Sequence, residues 1–197
     1  MIRENKDKSI SFFPFITSKN KSFIESALNV SDIFKKLFNI SLCEGDGGFE
    51  LVFDSLIAPD AYVLDTTGKA LIIRASSKEG LMYGLSTAIQ LIKADNNSLS
   101  APSVYIEDRP DKCYRSLMLD LSREWHTMDQ ILKFVDLCFL YKINYLHLHF
   151  IDDPRYTLPS RLFPKLSTVG ESYTAEEIEK LVNYADARGI YLVPEFE

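Results

Sequence analysis

The chain has only three cysteines, Cys43, Cys113 and Cys138, and none stands in a CxxC pair or beside a histidine cluster. An odd number at wide spacing offers no disulfide framework and no zinc-knuckle pattern. Buried or incidental thiols are the expectation, which agrees with a reducing, cytoplasmic setting and leaves secretion open. No run of about 18 apolar residues exists, so no membrane-spanning helix is expected and a membrane is not an expected partner. The apolar stretch from Ile10 to Ile16 is short, is broken by Pro14 and is followed by no small-residue cleavage site, unlike a signal peptide. Long basic clusters are missing too. The early run from Arg3 to Lys8 mixes signs and the net charge is -6, so nothing tracks a phosphate backbone and nucleic acid is not an expected partner.

What is present suits a folded chain. Hydrophobic residues make up 46% of its 197 residues, with thirteen Phe and ten Tyr, enough for one large domain or two small ones. Residues 8–16 read as a strand that Pro14 pushes toward an edge or an end. Ser22 to Phe38 carries apolar residues at helical offsets, with a break near Asn29 to Asp32. A turn cluster, Glu44 to Gly48, precedes three β-like runs: Phe49 to Phe53, Ala61 to Leu64 and Ala70 to Ala75. The last two flank a hairpin signal, Asp65 to Lys69. Ser76 to Ala94 reads as an amphipathic helix whose Gly80 and Gly84 share a face and permit close packing on a sheet. A strand at Val104 to Ile106 completes a small α+β sandwich, predicted over residues 1–110.

After the linker Asp108 to Asp111 the grammar changes. Arg115 to Leu121 is a nearly continuous apolar strand of the kind buried on both faces. A helix follows from Thr127 to Lys142, with Ile131, Leu132, Val135, Leu137, Cys138 and Leu140 able to face inward and Thr127 as N-cap. Tyr145 to Ile151 is a second strand and 154–173 a long loop. Thr174 and Glu177 form a capping box for a helix bearing Ile178, Leu181, Val182 and Ala185 on one face. Arg188 lies in its last turn, Gly189 just beyond, and Ile190 to Val193 is a third strand. Residues 111–197 are thus β-α-β-α-β with parallel strands, an order shared by doubly wound sheets and the opening of a (β/α)8 barrel. The missing Gly-rich phosphate loop argues against a dinucleotide fold.

In parallel α/β sheets the working residues sit at the carboxyl ends of the strands. Here those ends hold Asp120, Ser122, Arg123, Glu124, Trp125 and His126, then His147, His149, Asp152 and Asp153, then Glu195 and Glu197. Arg donors, paired carboxylates and a flat Trp ring suit sugar binding. Each also has a structural alternative: an Asp120–Arg123 ion pair, Trp125 as core, Asp152 and Asp153 as a turn pair. His147 and His149 share a strand face at a spacing that can ligate zinc, but no compelling third ligand accompanies them, so no metal and no cofactor is expected.

These segments resemble family 20 glycoside hydrolases, the β-N-acetylhexosaminidases. Tyr114 to Arg123 resembles the start of that family's barrel. Tyr141 to His149 followed by Asp152-Asp153 is similar to its second strand, and Tyr173-Thr174 with Val193 to Phe196 to its third unit. Leu71 to Ala75, the helix with Gly80 and Gly84, and Val104 to Asp108 resemble its accessory domain. The resemblance implies an accessory domain followed by the first units of an incomplete (β/α)8 TIM barrel, and a retaining exo-enzyme that removes terminal N-acetylglucosamine or N-acetylgalactosamine from a glycan. In that family the substrate's acetamido oxygen is the nucleophile, an exception to the two-carboxylate scheme. A Glu general acid with an adjacent Asp follows the fourth strand, past the residues present.

By the same resemblance Arg123 matches the residue that grips the outer hydroxyls of the terminal sugar. Asp152 matches the Asp that supports the protonation of the catalytic acid and also lines the sugar site. His149 and Glu197 are further expected sugar-binding residues. Glu124-Trp125 stands where His-aromatic is usual, Pro154-Arg155-Tyr156 where Gln-Gly-Trp is frequent, and Glu197 where Asp is typical. A rival reading is a non-catalytic carbohydrate-binding or interaction module derived from such an enzyme. The strand that opens O-GlcNAc-hydrolase-type barrels is not matched. Three strands leave two open sheet edges, so a homodimer through those edges is the expected association, and the chain alone is expected to be inactive.

Overall fold

The computed structural model describes residues 1–95 and 98–196. Residues Met1–Cys113 form one compact unit and Tyr114–Glu197 a second. No helix among the described residues is long and apolar enough to cross a membrane.

The first unit runs β1 (Ile2–Phe12), β2 (Phe15–Thr17), α1 (Lys21–Leu28), α2 (Ser31–Phe38), β3 (Cys43–Glu44), β4 (Phe49–Phe53), β5 (Tyr62–Asp65), β6 (Leu71–Ala75), α3 (Lys78–Leu91), β7 (Lys93–Asp95) and β8 (Ser98–Asp108). They form one eight-stranded sheet ordered β1-β8-β5-β6-β4-β2-β3, with β7 also on β8. Alternate residues of β4, β5 and β6 are buried: Phe49 and Leu51, Tyr62 and Leu64, Leu71, Ile73 and Ala75. The two-residue strand period places each set on one face, against which α1 and α3 pack.

The strand expected over residues 8–16 is instead two. Pro14 has no N–H to give a ladder, and the chain turns there, with Phe13 N–H donating to Gly47 O at 3.1 Å. Before the turn, β1 pairs antiparallel with β8; after it, β2 pairs parallel with β3 and β4. The mixed charges of β1 suit an edge strand: Arg3, Glu4 and Lys8 are exposed while its backbone is paired. The strand expected at Val104 to Ile106 is eleven residues long, Ser98–Asp108, paired with β1 on one side and with β5 and β7 on the other.

The helical stretch breaks as its periodicity predicts, with α1 ending before Asn29 and α2 closed by Asn39 in the left-handed region at φ 56°. Ser77 caps α3 by accepting the Gly80 N–H. The glycines of α3 are required by proximity: a Cβ on Gly80 would lie 2.3 Å from Ala61 O, and one on Gly84 2.5 Å from Ile73 Cγ2.

The second unit runs β9 (Ser116–Asp120), α4 (Met128–Leu140), β10 (Tyr145–His149), β11 (Ile151–Asp152), β12 (Arg155–Tyr156), a 3-10 turn (Pro164–Leu166), α5 (Ala175–Ala187) and β13 (Tyr191–Glu195). The three longer strands are parallel, in the order β9-β10-β13. Both helices begin with complete capping boxes, Thr127 with Gln130 and Thr174 with Glu177. Gly189, at φ +69°, follows α5 where a left-handed residue closes a helix.

The core of this unit joins Leu119 and Leu121, Leu146 and Leu148 with Ile131, Val135, Leu181 and Ala185 of the helices. Some expected core positions lie elsewhere. Met118 is 56% exposed, because β9 is an edge strand with only one face covered by the helices. Leu137 and Val182 are exposed, and Phe139 takes the buried place in α4 that periodicity gave to Leu137. Leu140 is half-buried. The second strand stops at His149, and the loop after it holds the β11–β12 hairpin. Of the thiols, Cys138 is buried, which pushes its pKa up to about 11, while Cys43 and Cys113 are exposed.

Candidate active site

Parallel register sets Asp120 opposite His149 and His149 opposite Glu195, so the last residues of β9, β10 and β13 stand abreast. In a parallel α/β sheet this is the edge where side chains from separate strands meet.

Past β9 the chain folds back on the Asp120 carboxylate. Its Oδ1 accepts the Ser122 N–H at 3.1 Å and the Arg123 N–H at 2.8 Å. Arg123 thereby reaches the β11–β12 hairpin, where its Nη2 lies 2.5 Å from Asp152 Oδ2; its Nε lies 3.8 Å from Asp120 Oδ2. The Arg123 side chain is 70% exposed and that of Asp152 only 15%. The guanidinium therefore keeps donors toward solvent while Asp152 anchors it from below. Among the described residues Asp152 Oδ2 is faced by the Arg123 guanidinium and, at 3.5 Å, by His149 Nε2. Its carboxyl lies below the usual carboxylate range. The largest cause is the hydrogen bond Oδ1 accepts from Asp153 N–H at 2.7 Å; burial opposes it, and Arg123 and His149 add to it.

His149, 7% exposed, stands between two carboxylates, with Nδ1 2.9 Å from Glu195 Oε2 and Nε2 3.5 Å from Asp152 Oδ2. Burial pushes its pKa down, but the bonds to Glu195 and Asp152 and the charges of Asp120 and Glu195 outweigh burial, and the net shift is upward. A carboxylate facing each nitrogen favours the charged ring. His149, an expected sugar-binding residue, lies at the strand ends with each ring nitrogen facing a carboxylate. His147 Nε2 lies 3.0 Å from the same Glu195 oxygen, so the two histidines converge on one carboxylate. Asp120, His149 and Asp152 offer ligand atoms within 4.8 Å of one another, a cation-like spacing. The Arg123 guanidinium already supplies positive charge there.

Trp125 stacks on Tyr173, with centroids 4.6 Å apart and planes 22° apart, so one ring face is taken by the protein. Tyr173 Oη donates to His126 O at 2.7 Å, which fixes the segment between Arg123 and α4. Glu124 and Asp153 are exposed at the rim. Glu197, expected as a sugar-binding residue, lies outside the described residues.

The sequence marked Arg155 only as a departure from a familiar pattern, and left Glu171 in an unread loop. In the fold Arg155 Nη1 donates to Ser122 O at 2.8 Å and Arg123 O at 3.2 Å, and its Nε donates to Glu171 Oε2 at 2.5 Å. In return the buried Ser122 hydroxyl donates to Arg155 O at 2.7 Å and Asp152 O at 3.4 Å. A basic residue three positions after Asp152, in a loop with Glu171 as its one acidic residue, is the local signal these contacts leave.

Two family models match the chain: glycosyl hydrolase family 20, catalytic domain, over residues 113–197, and glycosyl hydrolase family 20, domain 2, over residues 17–109. A chitooligosaccharidolytic β-N-acetylglucosaminidase of Bombyx mori is 35% identical over 148 residues, 70% of this chain and 25% of that protein. A β-hexosaminidase of Akkermansia muciniphila is 34% identical over 153 residues, 70% of this chain and 31% of that protein. The chain thus spans about a quarter to a third of the length of these curated relatives.

Among solved structures, a mutant β-hexosaminidase of Streptomyces plicatus in complex with the product GlcNAc is 25% identical with a TM-score of 0.84, covering 100% of this chain and 44% of that one. An exo-β-N-acetylglucosaminidase of Vibrio harveyi shares the fold, with a TM-score of 0.91 at 23% identity over 100% of this chain and 35% of that one. The mixed α/β architecture is that of an N-terminal domain followed by the start of a TIM barrel.

Proposed function

Because this chain belongs to glycosyl hydrolase family 20, we propose that it serves as the N-terminal segment of a retaining exo-β-N-acetylhexosaminidase acting on glycans that end in N-acetylglucosamine or N-acetylgalactosamine. The observation that carries this reading is the Arg123–Asp152 pair, 2.5 Å apart at the carboxyl edge of the strands. Arg123 offers a planar fork of donors to a sugar's outer hydroxyls, and Asp152 holds that fork in place while staying anionic. Asp152, held toward its anionic form, with His149 packed behind it, supplies negative charge next to the position where a general acid must hold its proton. The nucleophile is the substrate's acetamido oxygen, so the segment needs to orient the sugar and the acid, without a second carboxylate nucleophile.

The matched catalytic-domain model and the relatives favour the enzyme over a non-catalytic carbohydrate-binding module. The test is the substitution Arg123→Met in the full-length enzyme, assayed on an aryl N-acetylglucosaminide. The expected result is a loss of kcat/KM of about a hundredfold, the order lost when a charged hydrogen-bonding partner is removed. An unchanged kcat/KM would overturn the assignment. The 197-residue chain by itself is expected to release no aryl alcohol from that substrate.

A further inference from the structure

We propose that Arg155 is a positioning residue for substrate binding: it fixes the loop that carries Arg123 to the hairpin that carries Asp152, and so sets where the guanidinium meets the sugar. The proposal rests on the sugar-binding role of Arg123 argued above.

Arg123 has little else to hold it. Its side chain is 70% exposed, and its two carboxylate neighbours touch the head group. A long side chain aimed from a mobile backbone samples many positions, and losing that freedom on binding weakens affinity. Asp120 Oδ1 holds this backbone by its Ser122 and Arg123 N–H groups, and Arg155 holds it by the matching carbonyls. Its Nη1 donates to the carbonyls of Ser122 and of Arg123 itself, at 2.8 and 3.2 Å. Arg155 is in turn the hairpin partner of Asp152. One residue thus bonds the peptide of Arg123 while its own backbone pairs with that of Asp152, whose carboxylate Arg123 faces. The buried Ser122 hydroxyl closes the loop in the opposite direction, to Arg155 O at 2.7 Å.

Glu171 completes the device. It takes the Arg155 Nε at 2.5 Å, and this bond holds the Glu171 carboxyl below its usual range. A guanidinium anchored on one edge presents its remaining N–H groups in a fixed fork, which a lysine ammonium does not reproduce. The Arg155 guanidinium is taken up by two main-chain carbonyls and by Glu171, so its effect falls on the placing of Arg123, on binding more than on the chemical step.

The test uses the full-length enzyme with Arg155→Met, which keeps the apolar stem, Arg155→Lys, Arg123→Met and the double variant. Arg155→Met is expected to raise KM about tenfold with kcat within about twofold, the pattern of lost ground-state binding. Arg155→Lys recovers less than half of that effect, and Arg155→Met adds less than twofold in the Arg123→Met background, as coupled residues do. Amide hydrogen exchange at Ser122 to Trp125 is expected to quicken by about tenfold in Arg155→Met while α4 and α5 keep their protection. A tenfold KM effect of Arg155→Met that persists undiminished without the Arg123 guanidinium overturns the proposal, as does loss of kcat together with general loss of protection. If Arg123→Met raises KM and Arg155→Met does not, only this proposal falls. If Arg123→Met itself leaves KM unchanged, the sugar-binding role of Arg123 falls and takes this proposal with it.

Discussion

Asp136 of α4 accepts a hydrogen bond from Arg188 Nε at 2.7 Å, and Arg188, just past α5, is 2% exposed. Tyr184 Oη donates to the same Asp136 oxygen at 2.8 Å, and the guanidinium lies over the Tyr184 ring at 3.4 Å. Sequence spacing made Arg188 a residue of the last helical turn; the fold uses it to join two helices. Removing one member of a buried pair strands the other charge, at a cost of about 3–5 kcal/mol. Asp136→Ala is therefore expected to lower the stability of the second unit by roughly 3 kcal/mol. The single tryptophan, Trp125, stacked on Tyr173 in that unit, reports its urea unfolding. A loss below about 1 kcal/mol, the range of exposed ion pairs, would mean the pair is solvated.

The strand-end charges predict a pH window. The pKa of His149 is raised in the fold, so its pairing contributes fully below its ordinary value of 6.5 and is lost as pH rises through the folded value. Asp152 is lowered, so its contribution is full above its ordinary value of 3.8 and is lost as pH falls through the folded value. The second unit should thus be most stable between those two values. His149→Gln should flatten the alkaline decline of the Trp125 unfolding midpoint and leave the acid limb. Equal alkaline declines in both proteins would rule His149 out as their source.

Gly80 and Gly84 share a helix face but meet different neighbours. A methyl group at Gly80 meets the backbone carbonyl of Ala61, which cannot move away, whereas at Gly84 it meets the Ile73 side chain and the Tyr62 ring. Overpacking costs about 1–3 kcal/mol, against a gain near 1 kcal/mol in helix propensity for alanine. Gly80→Ala should destabilise by about 2 kcal/mol, and Gly84→Ala by less. Urea unfolding followed by far-UV circular dichroism orders the two, and the reverse order would mean that the sheet, not the side chain, yields.

In the three-stranded sheet, β9 and β13 are the edges among the described residues. Beside β13, an apolar groove of about 480 Å³ is lined by Leu148, Phe150, Leu181, Val182 and Phe196 among others. Val182 and Phe196 are about half exposed, and an open edge with an apolar face invites a second copy. Sedimentation of the 197-residue chain should reveal concentration-dependent dimerisation, weakened by Val182→Lys. A monomer throughout the accessible range would exclude it.

Local signals in the sequence reached most elements and half of the site. The caps at Thr127 and Thr174, the turn at Asn29 and the parallel β-α-β-α-β order rest on nearest-neighbour chemistry, which a linear pattern carries. Arg123, Asp152 and His149 were marked because they fall just after apolar strands. What His149 does was not legible, since its partner Glu195 lies 46 residues away and only strand register brings them together. The same holds for Arg155, whose contacts with Ser122 and Glu171 cross two loops without periodicity. Exposure of Met118 and Val182 was missed because apolar periodicity names a face without saying what covers it.

The turn at Phe13-Pro14 has a practical consequence for anyone shortening this chain. The match to the family's domain 2 starts at residue 17, yet the eleven residues of β1 ahead of it line β8 from Leu99 to Ile106. Trimming to the matched boundary would strip that strand of its neighbour and leave a long row of main-chain groups open to stacking between molecules. The polar, mixed-charge leader is the sheet's selvedge, and solubility would go with it.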